Sequence, residues 1–185
     1  MDLGTGDGRF VLAAAAAEPS TLVLGVDASA PAMAESSRRA ASSAHGGGLP
    51  NARFVVAAAE ALPPELQGLA DRLTVHLPWG SLLRGALARD AAVATGIAGL
   101  LAPGGRAELL LAPAERDRLA VGLDVEARLA NGLADDWAAF GLRLVEARPA
   151  TDAEIAAAAS TWARRLRLRA GDPARPAHRI VLERP

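Results

Sequence analysis

The chain has 185 residues, 51% of them hydrophobic, and no cysteine, which predicts one domain with a sizeable core and excludes disulfides, thiolate metal ligands and cysteine nucleophiles. All 20 basic side chains are Arg and the formal net charge is −1, which is not the charge of a protein that coats nucleic acid nonspecifically. Without a signal-peptide pattern or an apolar run of about 18 residues, we expect a cytoplasmic enzyme with no membrane span and no metal.

The chain opens with a glycine-rich loop, DLGTGDGR after Met1, with glycines at positions 4, 6 and 8. Such a loop turns sharply and lets a ligand lie against bare backbone, and residues 10–17 predict a helix whose free N–H groups face the loop. A dinucleotide fingerprint needs a third glycine where Arg9 stands. A carboxylate at Asp2 or Asp7 suits an α-ammonium group better than a pyrophosphate. The loop therefore favours S-adenosylmethionine over a nucleotide or a plain glycine-rich turn.

A short apolar strand is predicted over residues 21–26, and Asp27 stands at its tip. An acidic residue about 20 positions after a glycine loop typically binds the hydroxyls of a ribose. The alternative is that Asp27 caps the following helix, for which Ser29 is the competing cap. We favour ribose binding because the glycine loop already predicts a nucleoside.

A helix is predicted over residues 31–43 and a third strand over 53–57. Arg38 and Arg39 lie side by side on the helix, either as an ordinary solvated face or as a contact for a polyanion. After the third strand, Ala59 and Glu60 are candidates for holding an adenine ring, although Glu60 could also be an acid favoured by a helix dipole.

The fourth strand is predicted over residues 72–77, and it leads into Pro78-Trp79-Gly80-Ser81. Ligands bind beyond the carboxyl ends of strands in open α/β sheets, so residues 77–81 are expected beside the reactive methyl group. We expect Trp79 to be a stacking platform for a base, with core packing as the alternative. His76, inside the strand, is interpreted as a core histidine.

In the second half of the chain, a helix is predicted over residues 81–101, with a break near residues 89–90. A Pro-Gly-Gly turn at 103–105 is then predicted before a fifth strand over 106–112. Residues 114–139 are predicted helical, with Trp137 and Phe140 packed on the sheet. A terminal strand pair is expected from residue 141 and up to residue 182.

A long connection, residues 148–169, lies between the two terminal strands, and its Ala-rich middle predicts a helix. Trp162 follows, with four Arg in the next seven positions. This joins a stacking surface to charges that suit phosphates. An Arg-rich amphipathic edge is an equally good interpretation, so both stay open.

Six segments together resemble one family: DLGTGDGR, GVD, LPN, AAExLP, PWGSLLRG and STWARRL occur here in the order found in the Kam-type aminoglycoside-resistance methyltransferases. The resemblance covers almost the whole chain. It implies a class I, Rossmann-like fold: a mostly parallel seven-stranded sheet with helices on both faces. It also implies transfer of a methyl group from S-adenosylmethionine to N1 of a decoding-site adenine in 16S rRNA of the small ribosomal subunit, leaving S-adenosylhomocysteine.

The resemblance also implies roles for individual residues. Trp79 and Trp162 would flank the flipped adenine, and Ser160 would hold the linker. The cosubstrate pocket would contain Asp2, Gly4, Asp27, Ala59, Glu60 and Leu77, and the RNA contacts would include Arg38, Arg39 and Arg165. To these we add Thr5, Gly6 and Asp7 from the glycine loop, and Arg164 and Arg167 from the arginine cluster after Trp162. The protein is expected to be a monomer.

This sequence departs from the family pattern in its first strand, because Met1 directly precedes Asp2. We therefore expect a truncated first strand that leaves a gap between its neighbours, and low activity. The alternatives are a methyltransferase acting on tRNA or a small molecule, and a relative that binds S-adenosylmethionine or RNA with little turnover.

Overall fold

The computed structural model describes residues 1–113, 125–158, 167–173 and 175–185. Its seven strands are β1 (Asp2–Leu3), β2 (Val23–Asp27), β3 (Ala52–Val56), β4 (Ala70–His76), β5 (Leu101–Leu111), β6 (Arg143–Pro149) and β7 (His178–Glu183). The described helices are α1 (Arg9–Ala17), α2 (Ala30–Ala40), α3 (Gly80–Ala86), α4 (Ala91–Leu100), α5 (Val125–Ala130), α6 (Leu133–Ala138) and α7 (Asp152–Ala157).

All seven strands form one sheet in the order β3-β2-β1-β4-β5-β7-β6. The pairs from β3 to β5 are parallel, and β7 runs antiparallel to both β5 and β6. The predicted mostly parallel, seven-stranded sheet is confirmed. The order reverses at β1 and β4, and in open α/β sheets a ligand site forms at that point, beyond the carboxyl ends of the strands.

Strand β1 is only two residues long, but it fills the centre of the sheet. Asp2 pairs with Gly25 of β2 on one side and with Thr74 of β4 on the other, and Leu3 pairs with Val26. The strand is short, as expected, but the expected gap between its neighbours is wrong. Two residues suffice to bridge β2 and β4 at the edge where the ligand site lies.

Helices cover both faces of the sheet. Val23 packs with Val11 of α1 and Ala40 of α2, whereas Val26, three positions later on β2, packs in a larger cluster with Ile97 of α4. Side chains three apart on a strand point to opposite faces, so the two clusters lie on opposite sides. The larger cluster also contains Leu83 of α3 and Trp137 of α6.

Two regions predicted to be helical are each divided in the structure. The helix predicted over 81–101, with a break near residues 89–90, is two helices, α3 and α4, and the Asp90 side chain caps α4 by accepting from the Val93 N–H at 3.3 Å. The part of the region 114–139 that is described is also divided, because Gly132 has a φ of 79° between α5 and α6. Trp137 is fully buried, and its ring meets Phe140 edge to face at 5.9 Å.

The Pro-Gly-Gly segment does not precede the fifth strand. β5 begins at Leu101, and residues 103–105 form a bulge within it, where the register with β4 shifts between Ala70 and Arg72. Backbone bonds from Gly104 N–H to the Arg184 carbonyl (2.8 Å) and from Arg184 N–H to the Gly105 carbonyl (2.9 Å) tie the bulge to the end of the chain. Within the described ranges, no helix has the length and apolar character needed to cross a membrane.

Candidate cosubstrate and RNA site

The glycine loop connects β1 to α1 and is held by its neighbours. The N–H groups of Gly4 and Thr5 both donate to the Val26 carbonyl, at 2.8 and 3.1 Å. Gly8 is the N-cap of α1 with a φ of 72°, a left-handed conformation that an L side chain adopts only at a cost. The Ser36 hydroxyl of α2 donates to the Asp7 carbonyl at 2.5 Å. The loop is therefore fixed to both β2 and α2.

Asp27, at the end of β2, accepts one backbone bond on each carboxylate oxygen. The donors are the Gly6 N–H at 2.8 Å and the Ser29 N–H at 2.8 Å. Helix α2 is capped by Ser29, whose hydroxyl accepts from the Ala32 N–H at 3.4 Å. Asp27 is therefore not the cap of α2, and its remaining lone pairs are free to accept from ribose hydroxyls.

A cavity of about 760 Å³ lies at this edge of the sheet. All nine residues predicted for the cosubstrate line it: Asp2, Gly4, Thr5, Gly6, Asp7, Asp27, Ala59, Glu60 and Leu77. Trp79 lines it as well. The acidic members give the cavity a negative lining, which favours a cationic ligand.

Two polar side chains of the cavity are buried. The Thr5 hydroxyl is buried and has no hydrogen-bond partner in the described part of the chain. Asp2 is 2% exposed, and its Oδ1 accepts from the Thr74 hydroxyl at 2.7 Å. Buried polar groups are normally paired, so the Thr5 hydroxyl is available to a ligand.

The tip of β4 turns abruptly toward the cavity mouth. Leu77 is buried with a φ of 51°, and its N–H donates to the Leu110 carbonyl at 2.7 Å. Such a conformation is strained for a non-glycine residue and is common at functional sites. Two residues later, the Trp79 side chain is 76% exposed at the N-cap of α3. The structure thus places an indole in solvent at the rim of the cavity.

The predicted RNA-binding arginines divide into two groups. Arg38 and Arg39 are exposed on α2, and Arg167 is exposed beyond α7. Arg164 and Arg165 lie outside the described residues, as do Ser160 and Trp162. The described arginines of the predicted RNA surface are therefore exposed at two separate places, on α2 and beyond α7.

The linker that carries Trp162 is anchored at both ends. Arg148 makes a bidentate contact with Glu154 of α7, at 2.6 and 3.0 Å, and these hydrogen bonds lower the pKa of Glu154 to about 2 and raise that of Arg148. Thr151 and Glu154 form a capping box at the start of α7. Further on, the Ala170 N–H donates to Asp152 Oδ1 at 2.7 Å, so the two ends of the linker are joined directly.

Several cavity residues were not predicted. His76 was interpreted as a core residue, but it is the last residue of β4 and lines the cavity, with its ring edge to face with Phe10 at 4.5 Å. Ala158 and Arg175, on either side of the undescribed part of the linker, also line the cavity. The one signal for His76 was its position next to the predicted strand tip, which does not by itself separate the core from the edge, and Ala158 and Arg175 had no signal in the sequence. No cluster of three or more His, Asp or Glu side chains suited to a metal ion occurs in the described ranges.

Comparisons with known proteins agree with this geometry. The family described as "NpmA: 16S rRNA (adenine(1408)-N(1))-methyltransferase" matches residues 1–178. A 16S rRNA (adenine(1408)-N(1))-methyltransferase from Streptoalloteichus tenebrarius is 38% identical over 175 residues, which is 90% of this chain and 79% of that protein.

Two solved structures are also similar. The crystal structure of the 16S rRNA (adenine(1408)-N(1))-methyltransferase from Catenulisporales acidiphilia, in a variant with the cosubstrate SAM, has a TM-score of 0.84 and 34% identity, covering 99% of this chain and 84% of that one. The 16S rRNA methyltransferase KamB has a TM-score of 0.86 and 31% identity, covering 100% of this chain and 86% of that one.

Proposed function

Because the chain belongs to the NpmA family of 16S rRNA (adenine(1408)-N(1))-methyltransferases, we propose that it methylates N1 of adenine 1408 in the small ribosomal subunit. The methyl donor is S-adenosylmethionine, and the outcome is aminoglycoside resistance. The observation that carries the proposal is a single cavity at which the glycine loop, the Asp27 carboxylate and the exposed Trp79 indole converge.

The residues of the cavity fit S-adenosylmethionine. Asp2 offers a buried carboxylate to the α-ammonium group, and Asp27 keeps lone pairs for the ribose hydroxyls. The Thr5 hydroxyl, buried without a partner among the described residues, adds a polar contact. When bound, S-adenosylmethionine supplies a methyl group on a positively charged sulfur. The residues that line the cavity would hold the cosubstrate at the carboxyl ends of β1 and β4.

The acceptor requires positioning rather than proton removal. Adenine N1 carries a free lone pair at neutral pH, so the attack needs no general base. The work of the protein is to hold the base beside the cavity, and proximity and orientation can supply roughly 7–11 kcal/mol of such a barrier. Trp79, exposed at the rim, offers a stacking face worth about 1–3 kcal/mol per base. This offsets the cost of unstacking a flipped base.

We also propose roles for Trp162 and Ser160 because the chain belongs to this family. Trp162 covers the second face of the adenine, and Ser160 holds the linker, residues 148–169. The described anchors of that linker support the role, because the Asp152–Ala170 bond joins its two ends and Ala158, within it, lines the cavity.

The exposed arginines would dock the RNA backbone. Arg38 and Arg39 are exposed on α2, and Ser36 of the same helix is bonded to the glycine loop. Docking through α2 would therefore set the distance from the RNA to the cosubstrate cavity. Arg167 and the arginines at 164 and 165 would contact phosphates from the linker. Each phosphate contact releases counterions, which makes binding sensitive to salt.

The state of the protein in the cell follows from this substrate. We propose a monomer that acts in the cytoplasm, where small ribosomal subunits are found, with residues 1–185 forming one domain. The partner is the small ribosomal subunit, the particle that contains the 16S rRNA named for the relatives of this chain.

The proposal is tested by incubating small ribosomal subunits with the protein and S-adenosylmethionine labelled in the methyl group. N1 methylation blocks the pairing edge of adenine, so reverse transcription should stop at adenine 1408 after treatment. The same label offered with tRNA or with free nucleosides should not be incorporated. Incorporation into tRNA alone would support the alternative substrate, and cosubstrate binding without any incorporation would indicate a binding protein.

A further inference from the structure

The Asp2 carboxylate is a buried charge without a strong ionic partner. It is 2% exposed, and among the described residues no Arg side chain lies within 4.0 Å of it; the one ion-pair contact of its carboxylate is His76 Nδ1 at 3.5 Å from Oδ1. A buried carboxylate is costly unless a cation or several hydrogen bonds compensate it. Among the described residues, the buried Asp2 carboxylate therefore lacks a full cationic partner, and a cationic ligand group in the cavity would compensate its charge.

Strand β4 supplies both polar groups that contact this carboxylate. Thr74 pairs with Asp2 in register, and His76 lies two positions further on, so both side chains are on the same face of β4. The Thr74 hydroxyl donates to Asp2 Oδ1 at 2.7 Å. The His76 ring is held edge to face against Phe10, and its Nδ1 is buried without a hydrogen-bond partner in the described part of the chain.

We propose that Thr74 and His76 are positioning residues for the cosubstrate, and that protonation of His76 and binding of the α-ammonium group at Asp2 exclude each other. Thr74 fixes the rotation of the carboxylate by occupying Oδ1, which leaves Oδ2 for the ligand. Neutral His76 leaves the charge of Asp2 unpaired, whereas protonated His76 neutralises it. The inference rests on the proposed function, because it takes S-adenosylmethionine as the ligand of this cavity.

Other charged groups also face the cavity, and their effect on binding has to be distinguished from that of His76. The Met1 amino group donates to the Arg72 carbonyl at 2.6 Å, and burial lowers its pKa. The remaining charged groups that line the cavity are Asp7, Asp27, Glu60 and Arg175. Among the side chains, histidine is the one whose charge ordinarily changes between about pH 5 and 8, but an amino group with a lowered pKa can change its charge there as well, so a variant of His76 has to distinguish the two.

The sign of the effect follows from linkage. Where His76 is protonated in the free protein, binding of an ammonium ligand releases a proton, so affinity rises with pH. One proton released corresponds to about a tenfold gain in affinity per pH unit. Where His76 is already neutral in the free protein, binding releases no proton from it and the affinity no longer depends on pH through this residue.

The test is calorimetric titration of the protein with S-adenosylhomocysteine, which has the α-ammonium group and no sulfonium. Titrations near pH 6 in buffers of different ionisation enthalpy count the protons released on binding. We expect release near pH 6 and none near pH 8. Binding without proton release at any pH from about 5 to 8 would overturn the inference and leave the proposed function intact.

Variants of His76 and Thr74 identify the group that releases the proton and test the role of the Thr74 hydroxyl. His76→Gln should bind S-adenosylhomocysteine without releasing a proton, and release that persists in this variant would assign it to another group, such as the Met1 amino group, and overturn the inference. Thr74→Val should bind about tenfold more weakly while still releasing the proton, and Thr74→Ser should bind normally. Equal binding by Thr74→Val and the parent protein would remove Thr74 from the proposal. No binding of S-adenosylhomocysteine by the folded parent protein would overturn the proposed function as well.

Discussion

Gly8 is the position in the glycine loop where an added methyl group should be most damaging. The residue is buried at a φ of 72°, and a Cβ built on it would lie 2.5 Å from Phe54 Cε1 and 2.9 Å from Ser36 Cβ. The left-handed conformation costs an L residue about 1–2 kcal/mol. Crowding of packed neighbours adds about 1–3 kcal/mol. Gly8→Ala should therefore lower the free energy of unfolding by about 2–5 kcal/mol.

Gly6 provides a matched control two residues away. Its φ of 58° is also left-handed, but a Cβ built on it would have no heavy atom within 4 Å. Gly6→Ala should lower the free energy of unfolding only by the cost of the left-handed backbone, about 1–2 kcal/mol. Urea denaturation of both variants and the parent protein measures the difference. Equal losses for the two variants, or a Gly8→Ala protein as stable as the parent, would refute the reasoning from close packing.

Three further predictions concern the rim, the linker and the RNA surface. Trp79→Ala should bind S-adenosylhomocysteine normally but methylate small subunits at least about fivefold more slowly, since one stacked base is worth about 1–3 kcal/mol; a rate equal to that of the parent would contradict this. Because hydrogen bonds from Arg148 hold the pKa of Glu154 near 2, below its ordinary 4.5, the stability they confer is present above pH 4.5 and is lost as pH falls toward 2. Thermal melts should therefore show a steeper acid loss in the parent than in Glu154→Gln, and parallel curves would contradict the pairing. Replacing Arg38 and Arg39 by Gln should weaken binding to small subunits and reduce its salt dependence by roughly one contact each, and an unchanged slope of affinity against salt would exclude these residues from the RNA surface.

The cosubstrate cavity was predictable because its residues stand at the ends of strands. The glycine loop and Asp27 are recognisable from spacing alone, and parallel strands bring their carboxyl ends to one edge. For this reason all nine predicted residues line one cavity. His76 was not predicted to line the cavity. A histidine one position from the end of a predicted strand can lie either in the core or at the edge of the sheet, and the choice requires the exact end of the strand.

Other features depended on tertiary contacts that the sequence does not reveal. The bulge in β5 forms because Gly104 and Gly105 bond to Arg184, a residue far along the chain. Likewise, two residues of β1 suffice to join β2 and β4 because Asp2 and Leu3 find partners on neighbouring strands. Ala158 and Arg175 also line the cavity, and no local pattern around either residue indicates this.

The central claim, that this cavity delivers a methyl group to N1 of one adenine, is tested most directly by mass spectrometry. Small ribosomal subunits treated with the protein and S-adenosylmethionine would be digested, and the fragment containing adenine 1408 sequenced and compared with N1- and N6-methyladenosine standards. We expect a single added methyl group, on N1 of that nucleotide. A methyl group on N6, on a neighbouring base, or on no base of the subunit would contradict it.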